Sequence, residues 1–467
     1  MATIKRNELI NALKAIKPYC AVGKTVLATS KMVLFDGPKC ELRATNFRVY
    51  ATVPLRTVHH ATNIVQRDFT GEDVPFIDKP REELEAMKAD ELRALAEGLT
   101  EAQAAEIPGG VSKGKKADLV DALIAAKVPA KTERIDVQVE DRFLVDPCLL
   151  EKIVKSMDVA ADAEIEISVN EFDFPAHSRE GFYPTTLQIG ENFQSIKVMS
   201  DNEFPEWPEE KTGPDAAMSR ILENISGKKL AAVAVVPAES DGDRHHTANV
   251  FLDPEGKAVV GTDGSRLHAL DAGVFGDKKI FIDAPSMHMV GKMAGDHMVN
   301  IDASQDGTRV AISAIIDGAG KDETVDLHLV ATNDPEMNYP KYKEIVGTEL
   351  PAEVKMDSKV ILKALKEAGA LLDADMKFVV LNMTEETIGA SVYNPNTGHY
   401  DRANAVKFEE GTLAEPFNIG IMCKFLTQAI GAVGEKMTMR LRNAESPIRI
   451  TGSGMAGFQA MVMPVRM

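Results

Sequence analysis

The chain has 467 residues, 44% of them hydrophobic and 27% charged, which is material for about three globular domains. Its net charge of -18 and pI near 5.1 exclude a uniformly basic nucleic-acid binder, so any phosphate contact must come from a basic face on an otherwise acidic molecule. Cys20, Cys40, Cys148 and Cys423 form no CxxC pair, which argues against a zinc site or a disulfide framework. The N-terminus carries no apolar signal core, and the longest apolar stretch, residues 230–236, is too short to span a bilayer; a cytoplasmic protein with reduced thiols is expected.

In chain order, KRNELINALKAIKPYC reads as an amphipathic helix and LRATNFRVYATV at 42 as strands. FLVDPCLLEKIVKSM, from Phe143, opens extended and passes into a helix with Leu149, Ile153 and Met157 at helical spacing; AEIEISV follows as a strand. AMSRILENISGKKLAAVAVV is expected to be helical, and VVGTDGSRLHAL at 259 echoes the strands at 42. FIDAPSMHMVGKM, from Phe281, repeats the strand-to-helix pattern and is followed by MVNIDAS and TRVAISAII. DSKVILKALKEAGALLD is a further helix, FNIGIMCKFLTQAIGAV from Phe417 a third strand-to-helix segment, and KMTMRLR and IRITGS are further strands.

The period is regular: 137 residues separate Asp146 from Asp283, and again Asp283 from Gly420. Each copy ends on an apolar, proline-bearing segment: DNEFPEWPE at 201, NDPEMNYPKYKEIV at 333, and MVMPVRM. The expectation is an α+β chain of three repeated domains, each a duplicated helix-plus-strands unit, spanning residues 1–208, 209–348 and 349–467.

Thr45 and Thr262 hold equivalent places but are 217 residues apart, 80 more than one period, so extra chain lies inside the first copy. Residues 76–131 are rich in Ala, Glu and Lys and read as two short helices. MKADELRALAEGL with SKGKKADLVDALI resembles the SAP-type helix-extension-helix module. That resemblance implies DNA-phosphate contact by Lys113, Lys115 and Lys116; a helical surface insert without DNA contact is the other reading.

Catalytic signatures are absent: there is no HExxH, GxSxG or P-loop pattern, and no GxGxxG that leads into a helix. Asp241, Asp243, His245 and His246 form the one cluster a metal-dependent phosphoesterase could use, but adjacent strand side chains point to opposite faces and serve one metal poorly. The expectation is a protein with no enzymatic activity, no cofactor and no metal.

TDGSRL at residues 262–267, NYPKYKEIV at residues 338–346 and the terminal MVMPVRM resemble the bacterial-type sliding clamp, the beta subunit of the replicative DNA polymerase. The resemblance covers nearly the whole chain outside the insert. It implies a DNA polymerase processivity factor: a head-to-tail homodimeric ring around double-stranded DNA, with helices inside and sheets outside. It also implies a hydrophobic pocket between the second and third domains for peptides of the polymerase, the clamp loader and other proteins with a clamp-binding motif. Carried over, that pocket comprises Thr247, Thr262, Gly264, Ser265, Arg266, Leu267, Pro340, Ile345, Met461, Met463, Pro464 and Val465. Thr247, Ser265 and Glu344 depart from frequent family residues, which points to a different peptide preference. An apolar, Met-rich terminal segment suits docking of several partners in its own right.

The implied DNA-facing residues are Lys14, Lys17, Lys24, Lys152, Lys155, Lys228, Lys229, Lys292, Lys363, Lys366 and Lys424, with Arg244, His245 and His246 on a loop. Ala370 and Leu371 carry over to the contact between protomers. A DNA-independent peptide-binding scaffold is the remaining alternative, alongside the phosphoesterase.

Overall fold

The computed structural model describes residues 2–21, 29–56, 59–60, 63–70, 81–96, 104, 107–108, 110–125, 132–139, 142–171, 185–189, 195–199, 204–207, 217–238, 247–318 and 323–466. The chain forms two compact units, one of His60–Asp141 and one of Ala2–His59 with Arg142–Met467.

The larger unit is built from one plan used three times, clearest in the middle copy. Strand Met218–Ser226 leads into helix Gly227–Ala238 and then into the meander Asn249–Asp253, Ala258–Thr262, Arg266–Asp271. Strand Ile280–Asp283 then leads into helix Ala284–Ala294 and the meander Met298–Ser304, Arg309–Asp317, Thr324–Thr332. The opening strand of each half crosses to the other half's meander: Met218–Ser226 pairs with Met298–Ser304, and Ile280–Asp283 with Asn249–Asp253. The same exchange joins Ala2–Lys5 to Glu164–Glu171 and Arg142–Val145 to Val33–Asp36 in the first copy. In the third it joins Ala352–Asp357 to Lys436–Leu441 and Phe417–Met422 to Phe378–Met383.

One backbone bond repeats at the start of all three first helices. Arg6 N–H donates to Ala163 O (2.9 Å), Gly227 N–H to His297 O (3.0 Å), and Ser358 N–H to Glu435 O (2.8 Å). Each ties an orphan helix-start donor to the other half of its domain. Side-chain caps complete several starts: Asp146 accepts from Cys148 and Leu149 N–H, Asp283 from Ser286 N–H, and Asp357 from Lys359 N–H. The counterpart of Asp146 and Asp283 in the third copy is Met422, not Gly420, because the helix Cys423–Val433 starts two residues later than the even period requires.

A second difference concerns AMSRILENIS, which is a strand rather than a helix start. Register shifts after Arg220 and Leu222, with Asn224 at φ 53°, bury Leu222 and Ile225 three residues apart and so imitate helical spacing.

The helices pair within each domain: Arg6–Ile16 with Pro147–Ser156, Gly227–Ala238 with Ala284–Ala294, and Ser358–Gly369 with Cys423–Val433. In the middle domain small residues bring the backbones close, and a Cβ on Gly291 would stand 2.6 Å from the Ala231 nitrogen. The helices bury Leu9, Leu13, Leu150, Val154, Leu230, Val290, Leu365 and Leu426 in one continuous apolar core.

Domains join by strand pairing. Val49–Pro54 of the first pairs with Thr324–Thr332 of the second, in register from Val49↔Ala331 to Thr52↔His328. Arg266–Asp271 of the second pairs with Phe458–Val462 of the third, from Arg266↔Val462 to Leu270↔Phe458. Each seam therefore lies inside an eight-stranded sheet.

The smaller unit has its own apolar core of Leu84, Leu92, Ala96, Ile107, Leu119, Val120 and Leu123 among helices Arg81–Ala86, Ala89–Ala96 and Lys116–Ala125. It is wider than the expected residues 76–131, because it includes an antiparallel ribbon, Asn63–Thr70 against Thr132–Val139, paired from Asn63↔Val139 to Thr70↔Thr132.

Candidate functional site

At the seam of the second and third domains, Thr262, Leu267 and Met461 stand directly opposite one another on three adjacent strands, and so share one face of the sheet. Leu267 and Met461 belong to a separate apolar cluster with Phe251, Val260, Phe281 and Tyr342, against which Tyr339, Ile345 and Val346 pack. The cluster is aromatic at its centre: the Tyr339 and Phe251 ring centroids are 4.7 Å apart, and Phe251 stacks on Phe281 at 4.9 Å. Both tyrosine hydroxyls find partners, Tyr339 Oη donating to Val260 O (3.2 Å) and Tyr342 Oη to Asp253 Oδ2 (2.5 Å). Burial pushes both hydroxyls well above the usual tyrosine range.

The turn that begins at Thr262 is pinned by its own side chains. Thr262 Oγ1 donates to Arg266 O (2.8 Å), and Asp263 Oδ1 accepts from Ser265 N–H (2.9 Å) and Arg266 N–H (3.0 Å). Gly264 sits at φ 86°. The terminal segment lies beside this turn: Met463 N–H donates to Ser265 O (3.0 Å), and Val465 N–H to Gly420 O (2.8 Å). Pro340 and Met463 are exposed and Pro464 and Val465 half-buried, so apolar surface borders a firm apolar floor.

The structure thus gathers Thr262, Gly264, Ser265, Leu267, Ile345, Met461 and Met463 around one turn and one cluster, while Val465 bonds Gly420 on another sheet. Thr247 is buried. Arg266 lies on the opposite face of its strand. Its side chain is almost wholly buried, pairs with Asp263 (2.8 Å), bonds Gln428, and lies 4.0 Å over the Phe425 ring. It ties the two domains together rather than lining the apolar face. Tyr339, Tyr342 and Phe251 were missed from sequence. Their signal in the sequence is the aromatic pair in NYPKY, which flanks Pro340.

The cations on the helices are mostly exposed, and some of them are held in ion pairs. Lys14, Lys152, Lys292, Lys363, Lys366 and Lys424 are exposed, and Lys229 is half-buried. Lys17 and Lys155 converge on Glu151, with Lys17 Nζ 2.6 Å from its carboxylate. Burial raises the Glu151 pKa, but the bonds from Lys155 and Lys17 outweigh it and hold the carboxyl below its usual range. Lys228 is paired with Asp296 at 2.7 Å. The middle domain's helix pair and helix Cys423–Val433 line one groove of about 520 Å³, which includes Lys228, His288, Lys292 and Gln428. Lys24, Arg244, His245, His246, Asp241 and Asp243 lie outside the described residues.

Lys113, Lys115 and Lys116 are exposed at and before the start of helix Lys116–Ala125. Ala370 is exposed and Leu371 half-buried just past helix Ser358–Gly369, where Leu371 O accepts from Asn394 Nδ2 (2.9 Å) and Thr397 Oγ1 (2.6 Å). Among the described residues no group of three His, Cys, Asp or Glu side chains could hold a metal ion, and no helix is long and apolar enough to cross a membrane.

Residues 343–466 match the family described as DNA polymerase III beta subunit, C-terminal domain. A beta sliding clamp of Synechococcus elongatus is 22% identical over 294 residues, covering 60% of this chain and 73% of the relative. Solved structures agree over the whole chain. The DNA polymerase sliding clamp of Bacillus subtilis superposes with a TM-score of 0.65 at 14% identity, covering 100% of this chain and 99% of the other. A Bartonella birtlesii sliding clamp bound to griselimycin gives 0.65 at 15%, and a Helicobacter pylori beta clamp bound to a DNA ligase peptide gives 0.62 at 15%, each covering 100% of both chains. The three-domain fold of this chain is the fold of those clamps.

Proposed function

We propose that this chain is a sliding clamp of the DNA polymerase III beta-subunit family, a non-catalytic processivity factor that encircles duplex DNA and tethers a polymerase to it. The observation that carries the reading is the way the domains join. At both seams within the chain, the last strand of one domain's first meander pairs with the last strand of the next domain's second meander. Among the described residues two such strands remain at sheet edges: Gly398–Lys407 in the third domain and Ser195–Val198 in the first. An unpaired edge is a template for another strand. A second copy placed head to tail satisfies both edges by the pairing rule the chain already uses twice, and two copies make a closed ring of six domains. Ala370 and Leu371, beside the Thr397 turn that opens the edge strand, fall at that contact.

The paired helices then face the DNA. Exposed lysines such as Lys14, Lys152, Lys292, Lys363, Lys366 and Lys424 meet phosphates diffusely, without reading bases, and retention comes from the closed ring rather than from affinity. Glu151 cancels one of the two charges of Lys17 and Lys155, which keeps the face from gripping too firmly. The net charge of -18 reinforces this by opposing adhesion to DNA elsewhere.

The apolar face at Leu267 and Met461, bordered by Met463, Pro464 and Val465, is the docking site for peptides of the polymerase, the clamp loader and other partners. The Helicobacter clamp bound to a ligase peptide supports this use. A chain with this role works in the cytoplasm on DNA, and Lys113, Lys115 and Lys116 of the insert offer it a further phosphate contact.

The test is a primed circular template with polymerase and clamp loader. The chain lengthens the products, and deletion of residues 463–467 removes both that effect and the binding of a Leu/Phe-rich clamp-binding peptide. Undiminished peptide affinity after the deletion refutes the pocket; unchanged product length with the intact chain refutes the function.

A further inference from the structure

The row of side chains that forms the pocket floor does not end at Met461. Across the same sheet Met461 stands opposite Arg449, Arg449 opposite Arg440, and Arg440 opposite Glu353. Directly opposed residues share a face, so the apolar floor passes into two adjacent guanidinium groups within two strand spacings, about 10 Å. Like charges directly opposite one another destabilise a sheet. Among the described residues only Arg440 of this pair has a carboxylate, Glu353 at 2.6 Å. Arg449 is held by backbone carbonyls alone, its Nη2 donating to Val346 O and to Thr348 O (3.1 Å), and its buried Nε has no hydrogen-bond partner. Arg442 is exposed and close by. The three arginines and residues 346–351 enclose a cleft of about 560 Å³. Glu349 is the one acidic residue lining it. In a chain of net charge -18 this is a local reversal of sign.

We propose that the cleft of Arg440, Arg442 and Arg449 is a second contact for the partner docked in the neighbouring pocket, and that it takes an acidic segment of that partner. The chemistry is specific: the exposed guanidinium forks of Arg440 and Arg442 match Asp and Glu carboxylates, and an arriving anion offsets the repulsion between Arg440 and Arg449. Burial, and then repulsion from Arg440, already weigh against the charged form of Arg449, and a bound carboxylate offsets both. The apolar floor supplies anchoring and the arginine end supplies selection among partners, so peptides with the same apolar core are ranked by the charge beside it.

This rests on the docking function proposed above, and the experiment separates the two. Labelled peptides with one Leu/Phe-rich core carry three Glu, three Gln or three Lys at either end, and their binding to the full chain is followed by fluorescence anisotropy at low and high salt. The Glu peptide of one orientation binds roughly three- to tenfold more tightly than its Gln counterpart at low salt. Arg442→Ala reduces that advantage and Arg442→Glu reverses it, while the Gln peptide binds all three proteins equally. Equal affinity of the Glu and Gln peptides, or an advantage that survives Arg442→Glu, overturns the proposal. So does an Arg442→Glu chain that loses affinity for duplex DNA but keeps the peptide ranking, since the cleft then serves nucleic acid. Failure of the Gln peptide to bind the unaltered chain overturns the docking function itself.

Discussion

Phe47 occupies in the first domain the backbone position that Gly264 occupies in the second. The two lie at φ 69° and 86° in turns with the same four hydrogen bonds: Thr45 Oγ1 to Val49 O (3.0 Å) answers Thr262 Oγ1 to Arg266 O, and Asn46 Oδ1 answers Asp263 Oδ1. Left-handed backbone costs a side-chain-bearing residue about 1–2 kcal/mol, part of which glycine gives back as unfolded-state entropy. Phe47→Gly is therefore expected to be neutral or to stabilise by up to about 1 kcal/mol, and Gly264→Ala to destabilise by about 1 kcal/mol. Denaturant unfolding of both variants measures this; a clearly destabilised Phe47→Gly would show that the exposed ring contributes more than its backbone costs.

Arg266 crosses the seam with its guanidinium nearly sealed from water, paired with Asp263 and lying over Phe425. Arg266→Met leaves the Asp263 carboxylate poorly compensated, at an expected cost of about 3 kcal/mol. The double change with Asp263→Asn should recover part of that loss, since the two residues form one unit. Simple additivity in a double-mutant cycle would contradict the pairing.

His268, on the same seam strand, is fully buried. Burial holds its pKa down to about 4 against an ordinary 6.5. Its Nδ1–H donates to Ala232 O (2.6 Å), and Nε2 has no hydrogen-bond partner. The folded state keeps the ring neutral while the unfolded state takes up a proton below pH 6.5. The associated stability is therefore whole above pH 6.5 and falls away as the pH drops toward 4, by about 3 kcal/mol in all. His268→Gln should flatten that part of the stability–pH curve. An unaltered slope between pH 6.5 and 4 would assign the acid sensitivity to other groups.

The ribbon of the small unit ends at the Thr70↔Thr132 pair. Replacing residues 71–131 with Asn-Gly should close it as a two-residue hairpin. The larger unit is expected to keep its thermal transition within a few degrees, because its core is continuous without the insert. Loss of that transition would make the insert structural. Loss of DNA affinity alone, reproduced by Lys113→Ala with Lys115→Ala and Lys116→Ala, would give it the phosphate contact that its sequence suggests.

Ala370 tests the contact between copies. Sedimentation at micromolar concentration should give a dimer, and Ala370→Arg a monomer of unchanged helix content. A monomeric unaltered chain would remove the ring.

The sequence made the repeat visible because the strand-to-helix junctions recur with aspartate caps at Asp146 and Asp283, and caps are local chemistry. The third junction was misplaced at Gly420 because Met422 carries no capping side chain to mark it. Bulges hid the strand at Met218, since they give buried residues a helix-like spacing. At the proposed pocket, the turn residues and the tail stand out in the sequence through their motifs. The inward side of Arg266 and the row from Met461 to Arg449 and Arg440 do not, because strand register depends on contacts distant in sequence.

Within the chain, neighbouring domains share a single sheet at each seam, so no hinge separates them: bending one against the next means unzipping backbone bonds in the middle of an eight-stranded wall. If two such chains close the proposed ring, only its clasps are left to undo. On the proposed ring, whatever places it on DNA would act where two chains meet, at the edge strands Gly398–Lys407 and Ser195–Val198, and leave the sheets within each chain intact.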